Sequence, residues 1–410
     1  MASNSKNIAG KITLLAIMVY FSSYITRINF GAIISAFISA ENASKTDAAL
    51  VTTVAFITYG LGQIISGVLG DKFDPRILIL SGSVITASMN IVMSFVAPSI
   101  IFMCIAWGFN GFAQAFMWPP LVKILMACLS PEDYDKSVVK IAYGSSGGTI
   151  AVYLFSPFII EKFGYRNVFR VSAFFCLIFT SVFALFANKI TANADFSGKA
   201  VKQNNISETE KTPKIIFAIL PLILLTIVIQ GMLRDGISTW FPNYISEVFN
   251  VPNTKSILTA VVLPVFHLGC SLLTYRILKA LRNNVFAALS SFFVIIALFV
   301  VCLKLCGENF IAISVIMFAL INGFAHSINI LQTEYMPRFF KATGKVSTYA
   351  GILNAATYVG SAVSTYAFAS ISVNYGWGTT LNSWVIFALS GGLLAVICML
   401  AISKNRSRKV

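Results

Sequence analysis

The chain has 410 residues, of which 57% are hydrophobic and only 11% charged, with a mean hydropathy of +0.81. A water-soluble domain carries about 25% charged residues, so a soluble globular protein is excluded and an integral membrane protein built from helices is implied. The net charge of +15 then has to be explained by where the cations lie.

Apolar segments of about 20 residues, enough to cross a hydrocarbon core, recur from end to end. Twelve spans are predicted, over 12–39, 48–70, 77–96, 98–127, 137–160, 168–188, 214–246, 256–280, 285–305, 309–335, 345–371 and 379–403. The first is too long for a signal-peptide core and lacks a small-residue cleavage site, so it is read as a span. Within it, "MVYFSSYITRINFGAI" puts Tyr20, Tyr24 and Arg27 at i, i+4 and i+7, on one helix face. Span two places Tyr59 and Gln63 on one face and runs into "GVLGDKFDPR". There Gly67 permits close helix approach, Asp71 is expected to end the helix, and Arg76 follows a tight Asp-Pro turn. Span four carries "NGFA" at 110–113, and span five the small-residue run "GSSGGTI".

After span six comes "NKITANADFSGKAVKQNNISETEKTPK", polar and without apolar periodicity. It reads as a cytoplasmic linker over 189–213 between six-helix bundles at 1–188 and 214–410. Span seven contains "QGMLRDGISTWFPNY", with Arg234 and Asp235 deep in apolar sequence. Adjacent helix residues point about 100° apart, so these two are expected not to face each other. Span ten repeats "NGFA" at 322–325 and sets Asn322, His326 and Asn329 on one face, ending at Glu334. Span eleven, "YAGILNAATYVGSAVS", does the same for Asn354 and Tyr358, on a helix suited to close packing. The seven cysteines all lie in or beside apolar segments without an acidic or histidine cluster, and read as inert thiols rather than a metal or redox site. No metal or cofactor is expected.

With both termini placed in the cytoplasm, twenty-two of the thirty Lys and Arg fall in the inside segments and at the span ends beside them. Six fall outside: Lys45, Lys162, Arg166, Arg170, Lys255 and Lys304. The basic surplus is therefore the positive-inside pattern of a membrane protein, and the tail "SKNRSRKV" faces anionic headgroups. No nucleic-acid partner is implied.

Two arginines remain, and they occupy matching places. Arg234 follows Arg27 by 207 residues, and the second "NGFA" follows the first by 212. Together with the 6 + 6 division, these landmarks imply an internal duplication. An arginine at midplane depth costs roughly 2.5–3.5 kcal/mol on insertion scales. A structural ion pair or a snorkelling head is one explanation. The other is an anion clamp, with two guanidinium forks, one from each half, meeting a phosphate or carboxylate. Polar stripes on spans one, two, seven, ten and eleven favour a shared aqueous cavity over isolated helix-to-helix bonds.

Parallel six-helix repeats are the architecture of the major facilitator superfamily, with substrate at the midplane. The loop "GVLGDKFDPR" resembles that superfamily's charged signature loop, which implies a gating latch of Gly67, Asp71 and Arg76. Through "YITRINFGAI", "WPP" and "LRDGISTWFPNYISEV" the chain further resembles the organophosphate:phosphate antiporters, the glycerol-phosphate and hexose-phosphate transporters. That resemblance implies a twelve-helix fold and an alternating-access carrier of a small organic anion, a phosphorylated sugar or polyol, with no enzymatic step. It assigns the substrate phosphate to Arg27 and Arg234, and substrate contacts to Tyr20, Tyr24, Tyr59 and Tyr358. Gln63 replaces a lysine, and Tyr143 a histidine, of the glycerol-phosphate members. Asp235 and Glu334 are candidate coupling residues, with inorganic phosphate or protons as the coupling ion. A proton-coupled carboxylate symporter and a non-transporting sugar-phosphate sensor are the alternatives. A monomer in a bacterial inner membrane is expected.

Overall fold

A bilayer core offers no water to exposed peptide groups, so each crossing segment must satisfy its own backbone, and a helix does this within one segment. The computed structural model describes residues 2–192, 214–343 and 346–407, and among them all regular structure is helical. In chain order the α-helices are α1 (Ala2–Arg27), α2 (Asn29–Glu41), α3 (Lys45–Lys72), α4 (Pro75–Val96), α5 (Ile100–Gln114), α6 (Trp118–Cys128), α7 (Pro131–Phe163), α8 (Arg166–Ile190), α9 (Lys214–Gly231), α10 (Ile237–Phe249), α11 (Asn253–Thr259), α12 (Val262–Ala280), α13 (Val285–Cys306), α14 (Ile311–Ile330) and α15 (Val346–Ser407). Two π-helical turns interrupt this order, at Met232–Gly236 and Leu331–Tyr335. The predicted linker lies outside the described residues from position 193 onward.

Ten stretches among the described residues are long and apolar enough to cross a membrane. The predicted fifth span corresponds to α7, a 33-residue helix. The predicted eleventh and twelfth both lie in α15, whose 62 residues would run about 93 Å as a straight rod, some three times the hydrocarbon thickness. Its break is at Gly376, where φ is 78° and ψ is 174°, a conformation that glycine alone adopts readily. The chain is thus an all-α membrane protein, and its helices are compatible with twelve crossings. Side chains such as Leu272 and Ile101, 75% and 74% exposed, would be a liability in water but are at home against acyl chains.

The chain forms two compact units, Met1–Lys202 with Asn253–Val261, and Gln203–Pro252 with Val262–Val410. In the first, α1 packs on α7, α3 on α5 and α4 on α8; α11 packs with α7 and α2. In the second, α9 packs on α15, α12 on α14 and α13 on both α14 and α15. Small residues set the spacing, as the glycine-rich stretch of span five suggested. A Cβ on Gly144 would lie 2.5 Å from the Ile17 carbonyl oxygen, and one on Gly148 2.8 Å from that of Phe21. With no hydrophobic drive between helices in lipid, this close packing is what holds them together.

The loop after α3 shows how local sequence sets the turns. The helix runs one residue past the predicted end, through Lys72, and Phe73 caps it. Asp74 then caps α4, accepting from the Arg76 amide at 2.8 Å, with Pro75 in the first turn. The same carboxylate accepts from Arg76 Nε at 3.0 Å, and Arg76 Nη1 reaches Thr191 Oγ1 at 3.2 Å. The side chain of Asp71 lies outside the described residues. The hydrogen-bonded Arg76 guanidinium holds the Asp74 carboxyl below the usual carboxylate range. A depressed folded value contributes stability that is complete above the unfolded aspartate value of about 3.9 and lost as pH falls through the folded one. Asp74→Ala, which loses cap and ion pair, is expected to cost about 1–2 kcal/mol near neutral pH. Asp74→Asn keeps the cap and should cost under about 1 kcal/mol. Thermal melts of the two variants at pH 7 and pH 3 check this; equal losses for both would remove the cap from the explanation.

Candidate functional site

In the first unit the site is built around the end of α1. Arg27 is its last residue, Ile28 carries the bend, and Asn29 opens α2. In a continuous helix the Phe30 amide would bond the Thr26 carbonyl; here it donates to Asn29 Oδ1 at 2.9 Å. The Thr26 carbonyl accepts instead from Asn90 Nδ2 at 3.0 Å and Asn110 Nδ2 at 3.2 Å. Asn29 Nδ2 donates to Asn90 Oδ1 at 2.7 Å, and Gln114 Nε2 to the Ser23 carbonyl at 3.1 Å and Thr26 Oγ1 at 3.0 Å. All six residues, Ser23, Thr26, Asn29, Asn90, Asn110 and Gln114, are at most 3% exposed. Burial of so many amides is tolerable only because they bond one another, and the network fixes the bend from which Arg27 projects.

The Arg27 guanidinium carbon lies 4.2 Å from the Tyr24 ring centroid and 5.2 Å from that of Tyr59, within cation–π range of both. Tyr20 continues the stripe, its ring 5.6 Å from Tyr24 and 4.9 Å from Trp118. Gln63, one turn beyond Tyr59, is buried with Nε2 lacking a protein acceptor among the described residues. Tyr20, Tyr24, Arg27 and Tyr59 are thus brought together, with Gln63 a turn away. Tyr143 is 60% exposed on α7, and Gly67 is exposed on α3.

In the second unit Arg234 is 7% exposed. Its Nε donates to Asp235 Oδ1 at 2.8 Å and its Nη2 to Asp235 Oδ2 at 2.6 Å, a two-pronged ion pair between sequence neighbours. This corrects the expectation that the two diverge. They stand in the π-helical turn Met232–Gly236, which inserts an extra residue into the helical repeat, and the long arginine folds back along it. Arg234 Nη1 donates to Asn329 Oδ1 at 2.9 Å, and Ser361 Oγ to Asp235 Oδ2 at 2.6 Å. The Tyr358 ring lies 5.6 Å from the guanidinium carbon. Asn329, Ser361 and Tyr358 thus help to hold the charge pair, which offsets the penalty of drawing both ions out of water.

The only two histidines of the chain meet in the same unit, His267 of α12 stacking on His326 of α14 with ring centroids 3.9 Å apart. Asn322 is buried one turn before His326, and Asn354 is half-buried one turn before Tyr358. The Glu334 side chain lies outside the described residues. Asn29, Asn90, Asn110, Gln114, Ser361 and His267 were not among the residues singled out from sequence. The available signal was amides inside apolar spans, Asn110 within the first "NGFA" among them. Gln230 stands 207 residues after Ser23; Ser23 Oγ donates to Gln114 at 2.6 Å, and Gln230 Nε2 to the Ala325 carbonyl, on the second "NGFA", at 3.2 Å.

Comparison with known proteins matches residues 16–365 to the family model of the Major Facilitator Superfamily. A "probable hexose phosphate transport protein" of Chlamydia pneumoniae is 26% identical over 160 residues, 38% of this chain and 34% of that protein. The glycerol-3-phosphate transporter of Bacillus subtilis (strain 168) is 25% identical over 249 residues, 56% of this chain and 55% of that one. The membrane sensor protein UhpC of Salmonella typhimurium is 29% identical over 111 residues, covering 27% and 25%. The chain thus spans about a quarter to just over half the length of these relatives. Among solved structures, a peptide transporter (POT) superposes with a TM-score of 0.75 at 12% identity over 97% of this chain and 98% of that one. A D-xylose–proton symporter does so at 0.70 and 14%, over 95% and 96%. At such identities the likeness is one of fold.

Proposed function

The chain belongs to the Major Facilitator Superfamily, and we propose that it is a secondary carrier of a small organic anion, a phosphorylated sugar or polyol, working by alternating access. The observation that carries the reading is the treatment of the two deep arginines. Each is fixed by a built set of neighbours, tyrosine rings for Arg27 and Asp235, Asn329 and Tyr358 for Arg234. Guanidinium groups so held are preorganised for a planar or tetrahedral oxyanion. The names of the hexose-phosphate and glycerol-3-phosphate relatives support a phosphorylated substrate. In this reading Arg27 and Arg234 are each residues that bind the substrate anion, while Gly67, Asp71 and Arg76 form a latch at the cytoplasmic face. The halves are 1–188 and 214–410, both termini face the cytoplasm of a bacterial cell, and the inner membrane is the site of action.

The test is a thermal-shift panel on purified full-length protein with glucose 6-phosphate, glycerol 3-phosphate, inorganic phosphate and glucuronate. A ligand at a hundredfold excess over its Kd should stabilise by about 2.7 kcal/mol. Phosphorylated compounds are expected to raise Tm; a response to glucuronate alone would replace this reading with a carboxylate carrier. The UhpC likeness keeps a sensor as the second reading. Proteoliposome uptake separates the two, since a sensor binds without accumulating.

A further inference from the structure

We infer that Asp235 is the internal anion that a substrate must displace from Arg234, and that binding at this arginine therefore carries one proton onto Asp235. The inference rests on the reading of Arg234 as a substrate residue and adds the coupling ion to it.

The argument starts from the fork. A guanidinium recognises a carboxylate or phosphate best through two parallel N–H donors. In the second unit the Nε and Nη2 pair of Arg234 is already used in that way by Asp235, at 2.8 and 2.6 Å. Asp235 is thus arranged as a substrate carboxylate would be. The pairing depends on the π-helical turn Met232–Gly236, a device that recurs at functional sites. The aspartate is also placed to move. Its side chain is 18% exposed against 8% for Arg234, and Ser361 Oγ at 2.6 Å offers it a hydroxyl that can accept as well as donate. The bond from Arg234 to Asn329 at 2.9 Å uses Nη1 and so leaves the Nε and Nη2 pair to the anion in the fork.

A second anion brought to the same guanidinium meets the Asp235 carboxylate at close range. Two carboxylate-like charges sharing one site cannot both remain ionised without a large loss, and one of them takes a proton. A free phosphate monoester, which loses its second proton near pH 6, is a stronger base than a free aspartate. Once it takes over the Arg234 fork, however, the guanidinium favours its dianion, while Asp235, displaced from that fork and facing a second anion, loses what favoured its ionised form and is the group that takes the proton. Among the described residues, titratable groups near the Arg234 end of the pair include His267, His326 and Tyr358, brought in by α12, α14 and α15. The histidines stack on each other rather than on the carboxylate. The proton comes from the solution on the side where the anion enters and leaves with it on the other, so Asp235 returns to the Arg234 fork and the cycle balances.

The experiment counts protons. Calorimetry of the purified full-length protein is run between pH 7 and 9 in pairs of buffers of different ionisation enthalpy. Glucose 6-phosphate, glycerol 3-phosphate and inorganic phosphate are the probes. The wild type is expected to take up about one proton per anion, with apparent Kd rising about tenfold per pH unit. Asp235→Asn should bind with a Kd independent of pH and take up none, while Asp235→Glu restores the uptake. In proteoliposomes without internal phosphate, an acid-outside gradient should drive accumulation by the wild type and not by Asp235→Asn. Binding by the wild type without proton uptake overturns the inference whether or not the variants fold, and leaves the substrate reading in place. Uptake that persists in Asp235→Asn assigns the proton to another group, the histidine pair first, and overturns it too. Failure of all three probes to bind overturns the substrate reading and this inference together.

Discussion

Lysine at position 234 is expected to lower uptake at least a hundredfold in proteoliposomes while the protein still folds. Lysine keeps the positive charge, so Asp235 remains compensated, but a point ammonium cannot present the parallel donors that Arg234 now gives to Asp235, nor reach Asn329 with the same geometry. Alanine is a different experiment. It strands the Asp235 carboxylate, 18% exposed and bonded to Ser361, and breaking a largely buried pair from one side costs on the order of 3 kcal/mol. The double variant Arg234→Ala/Asp235→Ala removes both ions and should recover most of that stability with no recovery of transport. Thermal melts read the first effect and uptake the second. Near-normal uptake by Arg234→Lys would take this arginine out of the substrate site. Lysine at position 27 should fold equally well, because its partners Tyr24 and Tyr59 accept any cation over their rings.

The second large effect is steric. In the second unit α9 and α15 touch through Gly231 and Gly360; a Cβ on Gly231 would run into the Thr357 carbonyl oxygen, and one on Gly360 into that of Val228. Both obstacles are backbone, so neither can swing aside, and alanine at either position is expected to cost about 1–3 kcal/mol through overpacking. The functional loss should be larger than the stability loss suggests. Gly360 lies between Tyr358 and Ser361, so forcing the helices apart draws both away from Arg234 and Asp235. Gly351, on the same helix with nothing near its ideal Cβ, is the control; alanine there should be neutral or stabilising by up to about 1 kcal/mol. If Gly360→Ala matched Gly351→Ala in both melting temperature and uptake, the close contact would not govern this site.

The amino-acid sequence by itself determined that the chain crosses a membrane as helices. Lipid imposes that choice locally, on every apolar stretch of sufficient length, whatever the rest of the chain does. The Asp-Pro turn after span two was legible for the same reason: Asp74 caps α4 through a side chain that reaches only two residues along the chain. The stripes of Tyr20, Tyr24 and Arg27 followed from helical repeat alone, and the structure keeps them side by side. What tertiary structure decided was every feature in which a helix departs from its repeat. The bend at Ile28 is stable because amides from Asn90 and Asn110, far along the chain, take over the Thr26 carbonyl. The turn at Met232–Gly236 exchanges one backbone register for another, a difference too small for local propensity to settle. Its reward, the pairing of Arg234 with Asp235, is held by Asn329 and Ser361 from two other helices. Helical periodicity places adjacent residues about 100° apart and so hid that pair, because the partners that make the irregular turn favourable are brought near only when the bundle folds.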